Sequence, residues 1–256
     1  MATISLCMIV KNESAVLARC LDSIADLMDE IIIVDTGSTD NTKEIAAQYT
    51  SRIYDFKWTS DFSAARNFSF SKATMEYIYT ADADEILDDA NRERFLRLKD
   101  ALLPEIEIVQ MKYVTQGTFD TVLNAKKEYR PKLFRRLRTF TWIDPIHETV
   151  RLTPVTFDSD VEILHCPQSL HSKRDFSIFI KAFEHDGQFS PKIRTMYAKE
   201  LLKTGDKKDF TDAKPIFQLI FDNDPADDAR KEAACVLARI YRMEDNKNEF
   251  FKLTMK

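Results

Sequence analysis

Over roughly the first eighty residues, the apolar positions alternate between short continuous runs and a helical period. Ile4–Val10 is an apolar run of strand length. Val16, Leu17, Cys20, Leu21, Ile24 and Met28 then recur at helical spacing, with Asn12 or Ser14 as the cap. Glu30–Asp35 (EIIIVD) is a second run without polar alternation, the pattern of a parallel strand covered on both faces. The turn Thr36-Gly37-Ser38-Thr39-Asp40 leads into a helix over Asn41–Tyr49, which its last residues can cap. Arg52–Phe56 predicts a third strand, Asp61–Ala73 a helix and Glu76–Thr80 a fourth strand. This β-α-β-α-β-α-β order implies an α/β fold with a parallel, doubly wound sheet.

The pattern changes near Pro104. Ile106–Val114 and Gly117–Leu123 read as a hairpin, and Lys132–Arg136, Phe140–Trp142, Thr149–Leu152 and Val161–His165 as short strands that extend the sheet in mixed or antiparallel fashion. From Arg174 the period is helical, over 174–187, 191–204, 209–222, 226–242 and 245–255, with breaks at Gly205, Pro225 and polar turns. Helical hairpins of this length resemble tetratricopeptide (TPR) repeats. The expected division is a catalytic-type α/β domain over 1–170 and a TPR-like region over 171–256, whose array is cut short or lacks a cap.

The 256 residues suit one domain of ordinary size plus a smaller one. A net charge of −5 speaks against a sequence-blind nucleic-acid binder, which needs a basic excess. Cys7, Cys20, Cys166 and Cys235 form no C-x-x-C pair and read as reduced, mostly buried thiols of a cytoplasmic protein, without structural zinc. No apolar run has the length of a membrane span. Ile4–Val10 lacks the basic segment and cleavage site of a signal peptide, so it reads as a strand. With four glycines in the chain, a phosphate site here is not a glycine-rich loop.

The strongest chemical signal is Ala81-Asp82-Ala83-Asp84-Glu85, directly after the fourth strand. In extended backbone Asp82 and Asp84 point the same way, and two close carboxylates are best reconciled by a hard divalent cation, Mg²⁺ or Mn²⁺. Such an ion offsets charge on a departing diphosphate. The carboxyl end of a central parallel strand is where open sheets bind ligands. Asp35 ends the second strand at the same edge. A dinucleotide fold would need G-x-G-x-x-G after the first strand, and Lys11-Asn12-Glu13-Ser14 stands there instead. Asp35 is left to accept hydrogen bonds from a base or ribose, or to cap the next helix.

Ser5–Ser14 (SLCMIVKNES), Val34–Thr42 (VDTGSTDNT), Ala64–Asn67 (AARN) and Thr80–Glu85 (TADADE) together resemble the family 2 glycosyltransferases of GT-A fold, over roughly residues 1–90. Trp142–Glu148 (WIDPIHE) and the helical tail resemble a bacterial subgroup that includes bacteriocin S-glycosyltransferases of the sublancin type. The resemblance implies an inverting transfer of a hexose from a nucleotide sugar, UDP-glucose or UDP-GlcNAc, to a peptide or glycan. It implies that Asp35 holds uracil and that Asp82 holds ribose or metal, with Asp84 the main metal ligand. Val10, Lys11, Asn12 and Glu13 would line the nucleotide pocket, and Arg66 would lie near the base or diphosphate.

Inversion needs a base for the acceptor proton. Glu148 is the first candidate and Asp144 the second; His147 would meet the diphosphate or the metal, and H-E-T-V-R is not the H-E-x-x-H of zinc proteases. His165, ending VEILH, would complete the metal site or be structural. Of the basic segment Arg130, Lys132, Arg135, Arg136 and Arg138, one or two residues would be functional and the rest solvated. The helical tail would present a peptide Cys, Ser or Thr to the site, or else cover the sheet or form a homodimer. Two rival readings stay open: a nucleotidyltransferase, which lacks its usual glycine-rich loop here, and a helical-repeat binding protein with an inert front domain.

Overall fold

The structure, a computed structural model, describes residues 1–115, 127–136, 142–143, 145–146, 149–150, 155–166 and 172–254. The chain divides into two compact units, Met1–Ile143 with Glu148–Ser169, and Asp144–His147 with Leu170–Lys256.

The first unit is built on an eight-stranded sheet. β1 (Ile4–Val10) lies between β2 (Glu30–Asp35) and β4 (Tyr77–Thr80), parallel to both, and β3 (Ile53–Asp55) lies outside β2. β7 (Lys127–Arg135) runs antiparallel to β4. β6 (Ile108–Thr115), β10 (Thr156–His165) and the short β5 (Glu85–Ile86) follow, giving the order β3-β2-β1-β4-β7-β6-β10-β5. The half that reads as βαβ is thus parallel, and the later half is mixed. A separate antiparallel pair is formed by β8 (Trp142–Ile143) and β9 (Thr149–Val150).

Period-2 alternation in β1 accounts for the two layers. Ile4, Leu6, Met8 and Val10 pack with Leu17, Cys20, Leu21 and Ile24 of α1 (Leu17–Ile24) and Phe95 of α4 (Asp89–Ala101). Cys7 faces the other way, into a second cluster with Ile32, Val34 and Ile78, against which Phe68 and Phe70 of α3 (Phe62–Phe70) pack. Both sheet faces are therefore apolar, as the unbroken strand runs require.

Several sequence expectations are corrected. Neither Asn12 nor Ser14 caps α1: Val16 precedes it with no side-chain cap, because Asn12 and Ser14 are engaged by the 38–40 turn. The helix expected over Asn41–Tyr49 is the single turn α2 (Thr42–Ala46). α4 was not foreseen; its sequence DANRERFLRLKDA has few apolar positions, and Asp88 starts it by accepting from Asn91 N at 2.9 Å. β6 has its hairpin partner in β7, a longer strand than the expected Lys132–Arg136. The segment Gly117–Leu123, expected as a strand, lies outside the described residues. Of the cysteines Cys7 and Cys20 are buried, but Cys166 is half-buried and Cys235 exposed.

The second unit contains the helices α5 (Ser172–Asp186), α6 (Pro191–Thr204), α7 (Lys207–Asn223), α8 (Asp227–Met243) and α9 (Lys247–Thr254). Tyr197 anchors its core, stacked on Phe179 at 4.7 Å and ringed by Phe176, Phe189 and Phe217. The breaks are encoded locally. Ser190 caps α6 ahead of Pro191, and Asp206 with Asp209 forms a reciprocal capping box on α7. A Cβ on Gly205 would stand 2.6 Å from Leu201 O, so only glycine fits between α6 and α7. No helix among the described residues is long and apolar enough to cross a membrane.

Candidate functional site

The chain leaves β1 toward β2 on one side and returns from β3 to β4 on the other, so the order reverses beside β1. The carboxyl ends of β2, β1 and β4 meet at this switch point, where open α/β sheets bind ligands. Asp35 pairs in register with Val10 there.

Asp35 is 1% exposed. Its Oδ1 accepts from Gly37 N and Ser38 N, both at 2.9 Å, which explains the turn that follows. Its Oδ2 is buried and has no hydrogen-bond partner. A buried carboxylate oxygen left without a donor is costly, and a ligand N–H or O–H is the natural complement. The Val10–Glu13 segment is tied to the same turn. Asn12, at φ 54°, donates its N–H to Ser38 Oγ at 2.9 Å and accepts from Thr39 N at 2.7 Å. Glu13 N donates to Thr42 Oγ1 at 2.8 Å, and Lys11 is exposed. The main-chain N–H groups of Asn12, Glu13 and Ser14 are thus taken up by side chains of the 38–42 turn, and Lys11 is the exposed side chain of the loop.

The acidic motif is not extended. Ala83 and Asp84 form a turn closed by Glu85 N donating to Asp82 O at 3.1 Å, which corrects the expectation that Asp82 and Asp84 share a strand face. Asp84 is one-fifth exposed (18%) and meets His165 Nε2 through Oδ2 at 3.0 Å. Its backbone carbonyl accepts from Cys166 N at 2.9 Å. Asp82 is half exposed (53%) and lies 3.9 Å from Arg66 Nη2. Loss of hydration on its protein side would raise its pKa, but Lys132, Arg66, Arg130 and His165 outweigh that and hold it below the ordinary value. Among the described residues no three His, Cys, Asp or Glu side chains converge on one point. Asp84 and His165 do converge, and a carboxylate with an imidazole is a donor set that suits Mn²⁺, or Mg²⁺ through the oxygen, with other positions left to ligand oxygens.

Arg66 is nearly buried on α3, its guanidinium 4.9 Å from the centre of the Trp142 ring. Asn67 beside it clamps the Trp142 backbone, donating from Nδ2 to Trp142 O at 3.0 Å and accepting from Trp142 N at 2.8 Å. In the basic segment, Arg130 stacks on Tyr113 at 3.7 Å, and Tyr113 in turn packs on the His165 ring at 4.9 Å. Lys132 is buried against Glu85. Arg136 instead donates to Met75 O, and Arg135 N to Glu107 O; Arg138 lies outside the described residues. Asp144, His147 and Glu148, the candidate base and its neighbours, also lie outside them.

Sequence reasoning missed Glu85, Tyr113, Asn67 and Trp142 as parts of this site. Glu85 and Asn67 stand inside the motifs TADADE and AARN, so a signal was present. Tyr113 gave none, because its role arises only where β6 passes beside β10.

A sheet with a parallel, doubly wound front half, a buried acid ending β2 and an acidic turn after β4 defines a GT-A-like fold. The chain belongs to glycosyl transferase family 2, whose model matches residues 5–153. It is similar to the SPbeta prophage-derived glycosyltransferase SunS of Bacillus subtilis, 33% identical over 132 residues, covering 50% of this chain and 31% of SunS. A TPR repeat-containing protein of Synechococcus elongatus is 48% identical over 87 residues, 34% of this chain and 22% of that protein. The matched stretch thus covers less than a third of either relative. Among solved structures, glucosyl-3-phosphoglycerate synthase from Mycobacterium tuberculosis, in complex with Mn²⁺, UDP-glucose and phosphoglyceric acid, shares the fold. Its TM-score is 0.52 at 19% identity, over 74% of this chain and 82% of that one. The family match and the SunS likeness support a glycosyl transfer role.

Proposed function

We propose that the protein transfers a hexose, with inversion, from a UDP-sugar to a peptide side chain of Cys, Ser or Thr. The observation that carries the donor half is the buried, unpartnered Oδ2 of Asp35 at the switch point. Uracil offers an N3–H that satisfies it. Arg66, 3.9 Å from Asp82 and steadied by the Trp142 ring, would reach the diphosphate. Asp84 and His165 would hold a Mn²⁺ or Mg²⁺ ion. When bound, such an ion neutralises charge on the leaving diphosphate. Asp82, kept ionised by the surrounding cations, is suited to accept from a ribose hydroxyl or to assist with the metal. Glu148, or failing it Asp144, would take the acceptor proton, and positioning with electrostatics would supply most of the rate.

The peptide acceptor is suggested by the helical second unit, since helical-repeat arrays present extended binding surfaces. The test is hydrolysis and transfer with a panel of nucleotide sugars, with Mn²⁺, Mg²⁺ or EDTA, against peptide and glycan acceptors. Metal-stimulated turnover of a UDP-sugar is expected. Turnover of none of the panel refutes an active transferase and favours the binding-protein reading. Release of pyrophosphate from a nucleoside triphosphate and sugar phosphate favours a nucleotidyltransferase.

A further inference from the structure

The acidic turn carries a third carboxylate that the proposed chemistry does not use. Glu85 is 2% exposed, and Lys132 of β7 is 7% exposed beside it. Lys132 Nζ donates to Glu85 Oε1 at 2.5 Å, while Glu85 Oε2 accepts from Asp82 N at 3.2 Å. Because Glu85 N also donates to Asp82 O, Glu85 closes the turn with both its backbone and its side chain. On the other side Glu85 pairs in register with His165 across β5 and β10. One buried residue therefore ties together the peptide of Asp82 and strand β7 through its side chain, and the strand that supplies His165 through its backbone.

A buried ion pair is a poor means of gaining stability, because its desolvation cost rivals its attraction; apolar replacements are often as stable. It is more valuable for fixing geometry. The turn also concentrates negative charge, and Lys132 places a fixed positive charge beneath it that no solvent ion needs to supply.

We propose that Glu85 and Lys132 are a positioning pair that holds the Asp82–Glu85 turn in register with His165, so that Asp84 and His165 are preset for a divalent cation. Glu85 is not itself a ligand. This rests on the metal reading of Asp84 and His165, and the experiment separates the two.

The measurement is calorimetric titration of Mn²⁺ into the UDP-bound protein, with UDP titrated into the metal-free protein and thermal unfolding followed in parallel. The decisive variant is the double Glu85→Gln/Lys132→Met. Gln keeps an acceptor for Asp82 N, Met fills the volume of the lysine stem, and no buried charge is left alone. It is expected to unfold close to the wild-type temperature, to bind metal-free UDP within about twofold of wild type, and to bind Mn²⁺ about 10–100-fold more weakly, the usual cost of losing an outer-shell partner. Wild-type Mn²⁺ affinity in the folded double variant overturns the proposal. Should the double variant not fold, Lys132→Arg keeps the charge and displaces it; weaker Mn²⁺ binding with unchanged UDP binding is expected, and unchanged Mn²⁺ binding overturns the proposal. Asp84→Ala serves as the separate control. If it binds Mn²⁺ as the wild type does, the metal site itself is refuted, whatever the pair variants show.

Discussion

Asp35 offers the sharpest perturbation, because its two carboxylate oxygens have separate duties. Oδ1 accepts from Gly37 N and Ser38 N and shapes the turn, whereas Oδ2 is buried without a partner. Asp35→Asn can keep the first duty and reverse the second, since the amide oxygen still accepts from the turn and an NH₂ group replaces Oδ2. A hydrogen bond to a charged group is worth about 1.5–3 kcal/mol. At 1.4 kcal/mol per factor of ten, losing it weakens UDP binding about 10–150-fold. The turn bonds survive as neutral ones, so the stability loss is held to about 1 kcal/mol, a melting shift of about 2–4 °C for a chain of this size. Asp35→Ala removes both duties and is expected to melt lower. The assay is calorimetric titration of wild type and Asp35→Asn with UDP and CDP. Cytosine presents an acceptor at N3 where uracil presents a donor, so Asp35→Asn is expected to lose UDP affinity and narrow or invert the preference over CDP. An unchanged UDP affinity, or an equal loss for both nucleotides, refutes the assignment of Oδ2 to the base.

Asp84→Ala is expected to abolish metal-stimulated donor turnover while circular dichroism stays native; wild-type turnover in excess Mn²⁺ would remove Asp84 from the metal site. Glu148→Gln, which keeps shape and removes the proton acceptor, is expected to slow transfer by about 10²–10⁴-fold with donor affinity intact. If Asp144→Asn alone produces that loss, the role belongs to Asp144. Asp40 offers a pH test: burial works to raise its pKa, but hydrogen bonds from Thr42 and Ser14 win and hold it at about 2, against an ordinary value of 3.8. A depressed carboxylate contributes stability above its unfolded pKa and loses it as pH falls through its folded one. Asp40 should therefore contribute above about pH 4, with the contribution fading toward pH 2, by about 1 kcal/mol for a group this accessible. The difference in melting temperature between wild type and Asp40→Asn, followed from pH 5 to pH 2, should shrink steadily; a constant difference contradicts it.

What the sequence showed well was whatever depends on neighbours along the chain. The apolar runs of β1 and β2 and the helical period of the tail are local patterns, and the observed elements follow them closely. Ser190-Pro191 and Asp206-x-x-Asp209 start helices through bonds that reach only three residues, a local signal that the expectation of a third tail helix beginning at 209 passes over. α4 escaped because its burial rests on a few side chains, chiefly Phe95 against Tyr79, in an otherwise charged segment. The acidic motif was found but its conformation was not. Alternation within Asp82-Ala83-Asp84 fits a strand, and the turn is closed instead by Glu85, held by Lys132 from a strand nearly fifty residues away, and by Cys166 N on the Asp84 carbonyl. Asn12 and Ser14 look like helix caps by type and place. Their partners lie instead in the 38–40 turn, across a strand and a helix that no local rule counts.

The electrostatics of the site carry the same point further. A chain of net charge −5 gives no hint of a cationic site, and that average rightly argues against an extended basic surface. Yet the carboxylate of Asp82 sits among Arg66 from α3, Arg130 and Lys132 from β7, and His165 from β10, and these suffice to lower its pKa against the loss of hydration on its protein side. In sequence the four are spread over about a hundred residues, and only Arg130 and Lys132 are near neighbours. The sheet order brings them together, because β7 pairs with β4 while β6 and β10 follow it. A diphosphate leaving group would meet Arg66 and Arg130 beside the acidic turn, set in place before any ligand arrives, while Lys132 stays paired with the buried Glu85. Preorganisation of this kind is what makes charge stabilisation effective in a transition state, since the protein need not reorient its dipoles as the charge develops. On the proposed reading the catalytic demand would fall on the β4–β7–β10 junction rather than on any single motif, which is why perturbing a buried pair at that junction should register in metal affinity before it registers in stability.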